Sequence, residues 1–384
     1  MTEPMRMQRS SRDSNDMRQR LQQWLAEKLA QGSGDDRLEA GTSPVVSDLA
    51  GTEANGMSSD TILFTASWTG RSGPHVERLV ARVAPDAADV PVFPAYDLPG
   101  QFAVIRAVSD LTDVPVPRAW WCEPSSGPLG APFFVMSRVD GLVPPDVMPY
   151  TFGDNWLYDA TPEQRRRLQE TTIEAIASLH DIDGAGDRFE FLDREAPGDS
   201  PLRRHVAHTR DWYDMVAREG APSALVERGF DWLDAHWPGH ESTPALSWGD
   251  ARIGNVLYDD FTPAALLDWE MAGLGPPELD VAWIIYAHLV FQSLAEVFAL
   301  PGLPDFMTVT DVTAQYEKLR GYAVRDLRFY LVYAAVQWGI VFLRTGQRQA
   351  HFGEREMPAD PQDLLHNRPH LESLLADVSG IDGT

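Results

Sequence analysis

LSWGDARIGNVLYDDFTPAALLDWEMAGLGPPELDVAWII, residues 246–285, is the stretch whose reading decides the fold. Residues 244–247 have the apolar character of a short strand, and Asp250 follows on a loop. Five residues later stands Asn255, which opens the β-rich run NVLYDD. A second apolar strand, expected over residues 264–267, then delivers Asp268. An acid and an amide at D-x-x-x-x-N, followed by an acid at the end of a neighbouring hairpin strand, suit a metal-phosphate site. Asp250 can take a proton from a hydroxyl, while Asn255 and Asp268 offer hard oxygen ligands to Mg²⁺.

The same residues carry a resemblance. W-G-D-A-R-I-G-N, then L-L-D-W-E, then G-P-P-E-L-D-V-A resembles H-G-D-x-x-x-x-N, D-x-[DE] and G-x-P-x-x-D-[LV]-A of the aminoglycoside phosphotransferase and choline kinase group. Trp248 stands in the place of the family histidine. The resemblance implies an α+β, bilobal protein-kinase-like fold, with a small antiparallel-sheet N-lobe and a large, mostly helical C-lobe. It divides the chain into a tail and helix (1–35), a nucleotide-binding N-lobe (36–139) and a C-lobe with the catalytic and metal loops (140–384). It also implies ATP and Mg²⁺ as cofactors. Asp250 becomes the group that positions and deprotonates the acceptor hydroxyl, and Asn255 and Asp268 become the metal ligands. Arg252 becomes a cation for the γ-phosphate, with a salt bridge holding the loop as its alternative. Glu270 supports the metal site, and Asp280 braces the catalytic loop.

Composition bounds what else the chain can be. At 384 residues, two lobes are expected. A formal net charge of −25 argues against a nucleic-acid partner. The single cysteine, Cys122, excludes an internal disulfide framework and a cysteine-based zinc site. The polar start MTEPMRMQRSSRDSND shows no signal peptide, and the apolar runs 281–291 and 329–343 are too short to span a bilayer. The expected location is therefore the cytoplasm, and the expected partner a small hydroxyl compound. Only Lys28 and Lys318 are lysines, so nearly every cation is arginine.

Upstream, Asp16 is expected to cap a helix whose Met17, Leu21, Trp24, Leu25 and Leu29 share one face. That helix reads as one that docks outside the catalytic core. The strands VVSDLA and TILFTASW flank GTEANGMSSD, which in a kinase-like fold is the loop over the phosphates. Its candidates are Gly51, Asn55, Gly56, Ser58 and Ser59. In the next strand, ERLVARVAP, Arg82 occupies the position of the phosphate-gripping lysine. A branch of the family associated with acyl-CoA dehydrogenases carries arginine there. Gln101, in a helix expected near 100–109, stands where the family has glutamate. GAPFFVMSRVDG resembles the family's strand and linker, which implies that Met136, Ser137 and Arg138 line the adenine slot.

Thr161-Pro162-Glu163 reads as the start of a long helix ending near His180, a histidine expected to be structural. Further helices are expected near 202–219, 223–236 and 364–378, with an amphipathic stretch over 309–320. The reading is an ATP- and Mg²⁺-dependent phosphotransferase acting on an aminoglycoside, a choline-like amine, a sugar or a hydroxyacyl compound. A catalytically weak nucleotide-binding regulator is the rival, because Arg82, Gln101 and Trp248 depart from the common pattern.

Overall fold

The computed structural model describes residues 14–31, 37–51, 60–146 and 148–376. They form two compact units, residues up to 106 with 117–139, and residues 107–116 with 140 onward.

The first unit holds α1 (Ser14–Gln31), β1 (Val45–Gly51), β2 (Asp60–Gly70), β3 (Gly73–Val83), most of α2 (Leu98–Leu111), β4 (Ala119–Glu123) and β5 (Phe133–Ser137). The strands make one antiparallel sheet in the order β1-β2-β3-β5-β4. Period-two patterning sets its faces. Ile62, Phe64, Ala66 and Trp68 of β2 share a buried cluster with Leu79, Ala81 and Val83 of β3 and with Phe133 and Val135 of β5.

Leu21, Trp24, Leu25 and Leu29 of α1 complete that cluster. The helix expected to dock outside the catalytic core packs its apolar stripe against this face of the sheet. The edge of the Trp24 ring meets Phe133 at 4.6 Å between centroids. Trp24 Nε1 also donates to Glu123 at 3.0 Å, and Lys28 pairs with the same carboxylate at 3.0 Å. Burial works against the charged Glu123, but hydrogen bonds from Ser125, Trp24 and Lys28 outweigh it and pull its pKa down to about 2.

The second unit is built on α3 (Pro162–His180), α4 (Ala185–Arg188), α5 (Pro201–Arg218) and α6 (Ala224–Ala235). After these come β6 (Ala245–Ser247), β7 (Val256–Asp259), β8 (Thr262–Leu266) and β9 (Gly273–Gly275). The unit closes with α7 (Glu278–Val297), α8 (Val309–Arg320), α9 (Leu327–His351) and α10 (Arg368–Leu375). Thr161 and Gln164 form a reciprocal capping box at the start of α3, with Pro162 in its first turn. Ser200 and Ser223 cap α5 and α6 through their hydroxyls alone, which accept from the N–H groups of Arg203 and Val226. The apolar runs lie inside α7 and α9, where most side chains are buried. No helix among the described residues is long and apolar enough to cross a membrane.

Several boundaries differ from expectation for local reasons. β7 and β8 form a hairpin whose turn residues Asp260 and Phe261 both have positive φ, 44° and 59°. That tight turn starts β8 at Thr262, and the strand ends before Leu267. The last helix begins only at Arg368, because residues 361–364 form a 3₁₀ turn. β9, the sequence Gly-Leu-Gly, pairs antiparallel with β6 although it has no β-forming residues of its own.

Candidate active site

The loop after β6 is held from below by one carboxylate. Asp280, fully buried in the first turn of α7, accepts from the Ser247 hydroxyl at 2.7 Å and from the backbone N–H groups of Trp248 at 2.7 Å and Gly249 at 3.0 Å. His180 Nε2 meets it at 3.0 Å, and the other ring nitrogen meets the Tyr316 hydroxyl at 2.7 Å. A buried carboxylate is tolerated only when its lone pairs are used, and here four groups use them. Gly249 follows with φ of 88°, and a Cβ there would collide with the Met271 carbonyl. The chain must therefore have glycine at this bend.

Asp250 leaves the bend into a ring of donors. Asn255 Nδ2 reaches its Oδ2 at 2.7 Å and Arg252 Nε reaches both oxygens, at 3.0 and 3.1 Å. Trp283 Nε1, from α7, donates to Oδ1 at 2.7 Å. Three donors thus make four contacts to the two oxygens, which uses the about four lone-pair sites a carboxylate offers. Asn255, in a 3₁₀ turn, gives its amide hydrogens to Asp250, which leaves its side-chain oxygen as an acceptor.

The second acid is locked to this loop by backbone contacts. Leu267 N–H donates to the Asn255 carbonyl at 2.8 Å, and the Leu267 carbonyl accepts from Trp248 Nε1 at 2.9 Å. Asp268 comes next in the chain, in the left-handed region at φ 60° and ψ 66°. Trp248 is wholly buried and lies 5.9 Å from the Trp269 ring. The residue in the histidine position thus has a definite task, tying the loop that carries Asp250 to the strand that delivers Asp268. Glu270 sits in the 3₁₀ turn directly after it.

Arg252 lies between two acids, Asp250 and Asp146. Burial disfavours its charge, but the two carboxylates outweigh that and raise its pKa above the usual guanidinium range. Burial pushes Asp146 up, and Arg252 offsets part of the effect. Gly254 makes room for the pair, since a Cβ there would strike both side chains. Sequence reasoning missed Asp146 and Trp283. Asp146 sits in a proline-flanked loop with no pattern to mark it. Trp283 lies three residues after Asp280 on the same helix face, a spacing that could have flagged it.

The first unit holds the other candidates. Arg82 lies on β3 opposite Thr61 of β2 and Phe134 of β5, half-buried, and donates to Thr61 Oγ1 at 3.0 Å. Phe102 of α2 packs on Phe134 at 6.2 Å, and its neighbour Gln101 is buried. Met136 is buried, Ser137 N–H donates to the Arg118 carbonyl at 2.9 Å, and Arg138 N–H donates to the Arg78 carbonyl at 2.8 Å. Those two N–H groups are engaged within the sheet. Gly51 closes β1 and is exposed. Asn55, Gly56, Ser58 and Ser59 lie outside the described residues.

Residues 54–300 match the family model described as the phosphotransferase enzyme family, and the chain belongs to that family. It is 27% identical over 322 residues to "Probable acyl-CoA dehydrogenase IBR3" of Arabidopsis thaliana, a match covering 78% of this chain and 37% of that protein. With acyl-CoA dehydrogenase family member 11 of Homo sapiens it shares 25% identity over 228 residues, 56% of this chain and 27% of that protein. The chain thus spans well under half the length of these curated relatives. Among solved structures, a Ralstonia eutropha JMP134 protein provisionally named an aminoglycoside phosphotransferase aligns with TM-score 0.62 at 20% identity, covering 93% of this chain and 97% of that one. A thermostable mutant of aminoglycoside phosphotransferase APH(4)-Ia, solved with ADP and hygromycin B, aligns with TM-score 0.54 at 16% identity, covering 94% and 99%. The five-stranded antiparallel sheet with a helical body is the kinase-like phosphotransferase fold.

Proposed function

We propose that the protein is an ATP- and Mg²⁺-dependent phosphotransferase that moves the γ-phosphoryl group to a hydroxyl of a small molecule. The observation that carries this reading is the lock around Leu267, which ties Asp268 to the loop bearing Asp250 and Asn255. Asp250 takes the proton of the acceptor hydroxyl, which would replace one half of the Arg252 Nε contact shared between its two oxygens. Asn255 contributes its side-chain oxygen and Asp268 its carboxylate to the metal. These two side chains would hold Mg²⁺ through hard oxygen ligands. Bound Mg²⁺ would offset the charge of the phosphates. Arg252 keeps Asp250 aimed, and Arg82 supplies the phosphate-gripping cation of the first unit.

The acyl-CoA dehydrogenase names of the relatives favour, within this reading, an acceptor from hydroxyacyl chemistry over an aminoglycoside. The regulator reading draws on the engagement of both Asp250 oxygens. ADP release from Mg·ATP across a panel of hydroxyl compounds, paired with Asp250→Asn, decides between them. Turnover that needs both an acceptor and Asp250 supports the phosphotransferase, whereas thermal stabilisation by Mg·ATP without turnover of any compound supports the regulator.

A further inference from the structure

Asp146 is a carboxylate with a single hydrogen-bond partner. Its Oδ2 accepts from Arg252 Nη1, its Oδ1 is buried and unpaired, and among the described residues it makes no other hydrogen bond. The side chains of both residues are only 17% exposed. The loop that carries Asp146 is strapped to α7. The Pro145 carbonyl accepts from the Tyr150 N–H at 2.9 Å, and the Tyr150 hydroxyl meets His288 Nδ1 at 3.0 Å. The Thr151 hydroxyl donates to the Phe291 carbonyl at 2.8 Å. His288 and Phe291 belong to the helix that also supplies Trp283 and Asp280. A largely buried carboxylate with one oxygen unused is costly, and only Arg252 offsets that cost.

The guanidinium between the two acids is divided unevenly. Asp250 receives one N–H from it: Nε lies 3.0 and 3.1 Å from the two oxygens, a bifurcated contact. Nη2, which presents a hydrogen along the same edge as Nε, makes no hydrogen bond among the described residues. The strongest arginine–carboxylate geometry uses both nitrogens of that edge, one on each oxygen. The group is planar and rigid, so a turn that brings Nη2 onto Asp250 moves Nη1 off Asp146. Gly254 leaves room for the hold on Nη1, since a Cβ there would stand 2.5 Å from Arg252 Nη1 and 2.5 Å from Asp146 Oδ1. Burial works against the Arg252 charge, and Asp146 opposes that effect more strongly than Asp250 does. The fork on Asp250 is therefore left open by the pull of Asp146.

We propose that Asp146 is a positioning residue that holds Arg252 off a two-bond fork on Asp250 and so keeps that carboxylate open to the acceptor hydroxyl. This rests on the phosphotransferase reading and deepens it. With the fork closed, Nε and Nη2 would join Trp283 and Asn255, and each Asp250 oxygen would carry two donors of its own. The shared half-contact that the acceptor hydroxyl replaces would then be gone.

A crystal structure of the full chain carrying Asp146→Ala should show Arg252 Nε and Nη2 on one Asp250 oxygen each. Arg252 left in its wild-type contact, or turned out to solvent, overturns the restraint. Asp146→Asn keeps the volume and removes the charge, and it carries the same test should the alanine variant fail to fold. With an acceptor found by ADP release, Asp146→Ala should lose about tenfold or more in kcat/KM for that acceptor, the factor of one charge-assisted hydrogen bond, with KM for ATP unchanged. The reversal is more telling. Adding Arg252→Gln removes the fork, so the double variant should turn over at least about threefold faster than Asp146→Ala alone, a coupling of the size seen between touching residues. A merely structural Asp146 would lower the melting temperature, and a second substitution in the same cluster would deepen the loss. A double variant as slow as Asp146→Ala, or slower, overturns the restraint while the phosphotransferase stands. A closed fork in Asp146→Ala, with no hydroxyl compound turned over by the wild type, overturns the phosphotransferase and leaves the hold of Asp146 on Arg252 standing.

Discussion

Trp283 is a positioning residue, and its indole N–H is one of three donors that aim Asp250. Trp283→Phe keeps most of the ring volume and deletes that donor alone. A hydrogen bond to a charged group contributes about 1.5–3 kcal/mol, so kcat should fall roughly 10- to 150-fold with KM for ATP unchanged. A purely structural role for Trp283 would lower the melting temperature and leave kcat of the folded fraction intact. Asp250→Asn goes further, because an amide cannot accept the hydroxyl proton. General-base loss costs about 10²- to 10⁴-fold, while Mg·ATP affinity by calorimetry should stay near wild type. Wild-type turnover in that variant would remove Asp250 from the chemistry. Asp268→Ala should instead weaken the Mg²⁺ dependence of ATP affinity, and an unchanged dependence would refute its place at the metal.

At the scale of elements, α1 is joined to the sheet by its apolar stripe and by Glu123. Because the folded pKa of Glu123 is lowered from 4.5 to about 2, its contribution to stability is complete above pH 4.5 and is lost as pH falls toward 2. Glu123→Gln should therefore lower the melting temperature at pH 7, with the gap to wild type closing across that acidic window. A gap that stays constant from pH 7 to pH 3 would show that Glu123 acts by packing alone. Elements with strong local signals were legible from the sequence: the Thr161-Pro162 cap of α3, and α8, whose observed span is Val309–Arg320. Long-range pairing was not. β9 exists because β6 supplies its partner, and Leu267 leaves β8 because Asn255 and Trp248 take its backbone groups. The same holds at the site, where the spacing of Asp250, Asn255 and Asp268 was readable. Asp146 and Trp283 come from distant segments, and only the folded chain brings them to the loop.

For the whole molecule, the proposal assigns a role to each unit, and Arg82 is the test of the first. Lys28 lies in α1, where it pairs with Glu123, and Lys318 lies in α8, so neither is placed on the strand that carries the family's phosphate-gripping lysine. Arg82 of β3 is the residue proposed for that position, and it donates to Thr61 with Phe134 beside it in the sheet. Loss of a charge-assisted hydrogen bond of about 1.5–3 kcal/mol predicts that Arg82→Ala lowers kcat/KM for ATP by roughly 10- to 150-fold with the fold preserved. Arg82→Lys is more telling. A lysine keeps the charge but gives up the planar fork and the reach to Thr61. With Gln101 where the family has glutamate, no carboxylate is expected from that position to draw an ammonium into place. Activity should return only in part. Full recovery with lysine would mean that charge alone is used at this position. Wild-type ATP kinetics in Arg82→Ala would remove β3 from nucleotide binding, together with the assignment of a phosphate loop between β1 and β2.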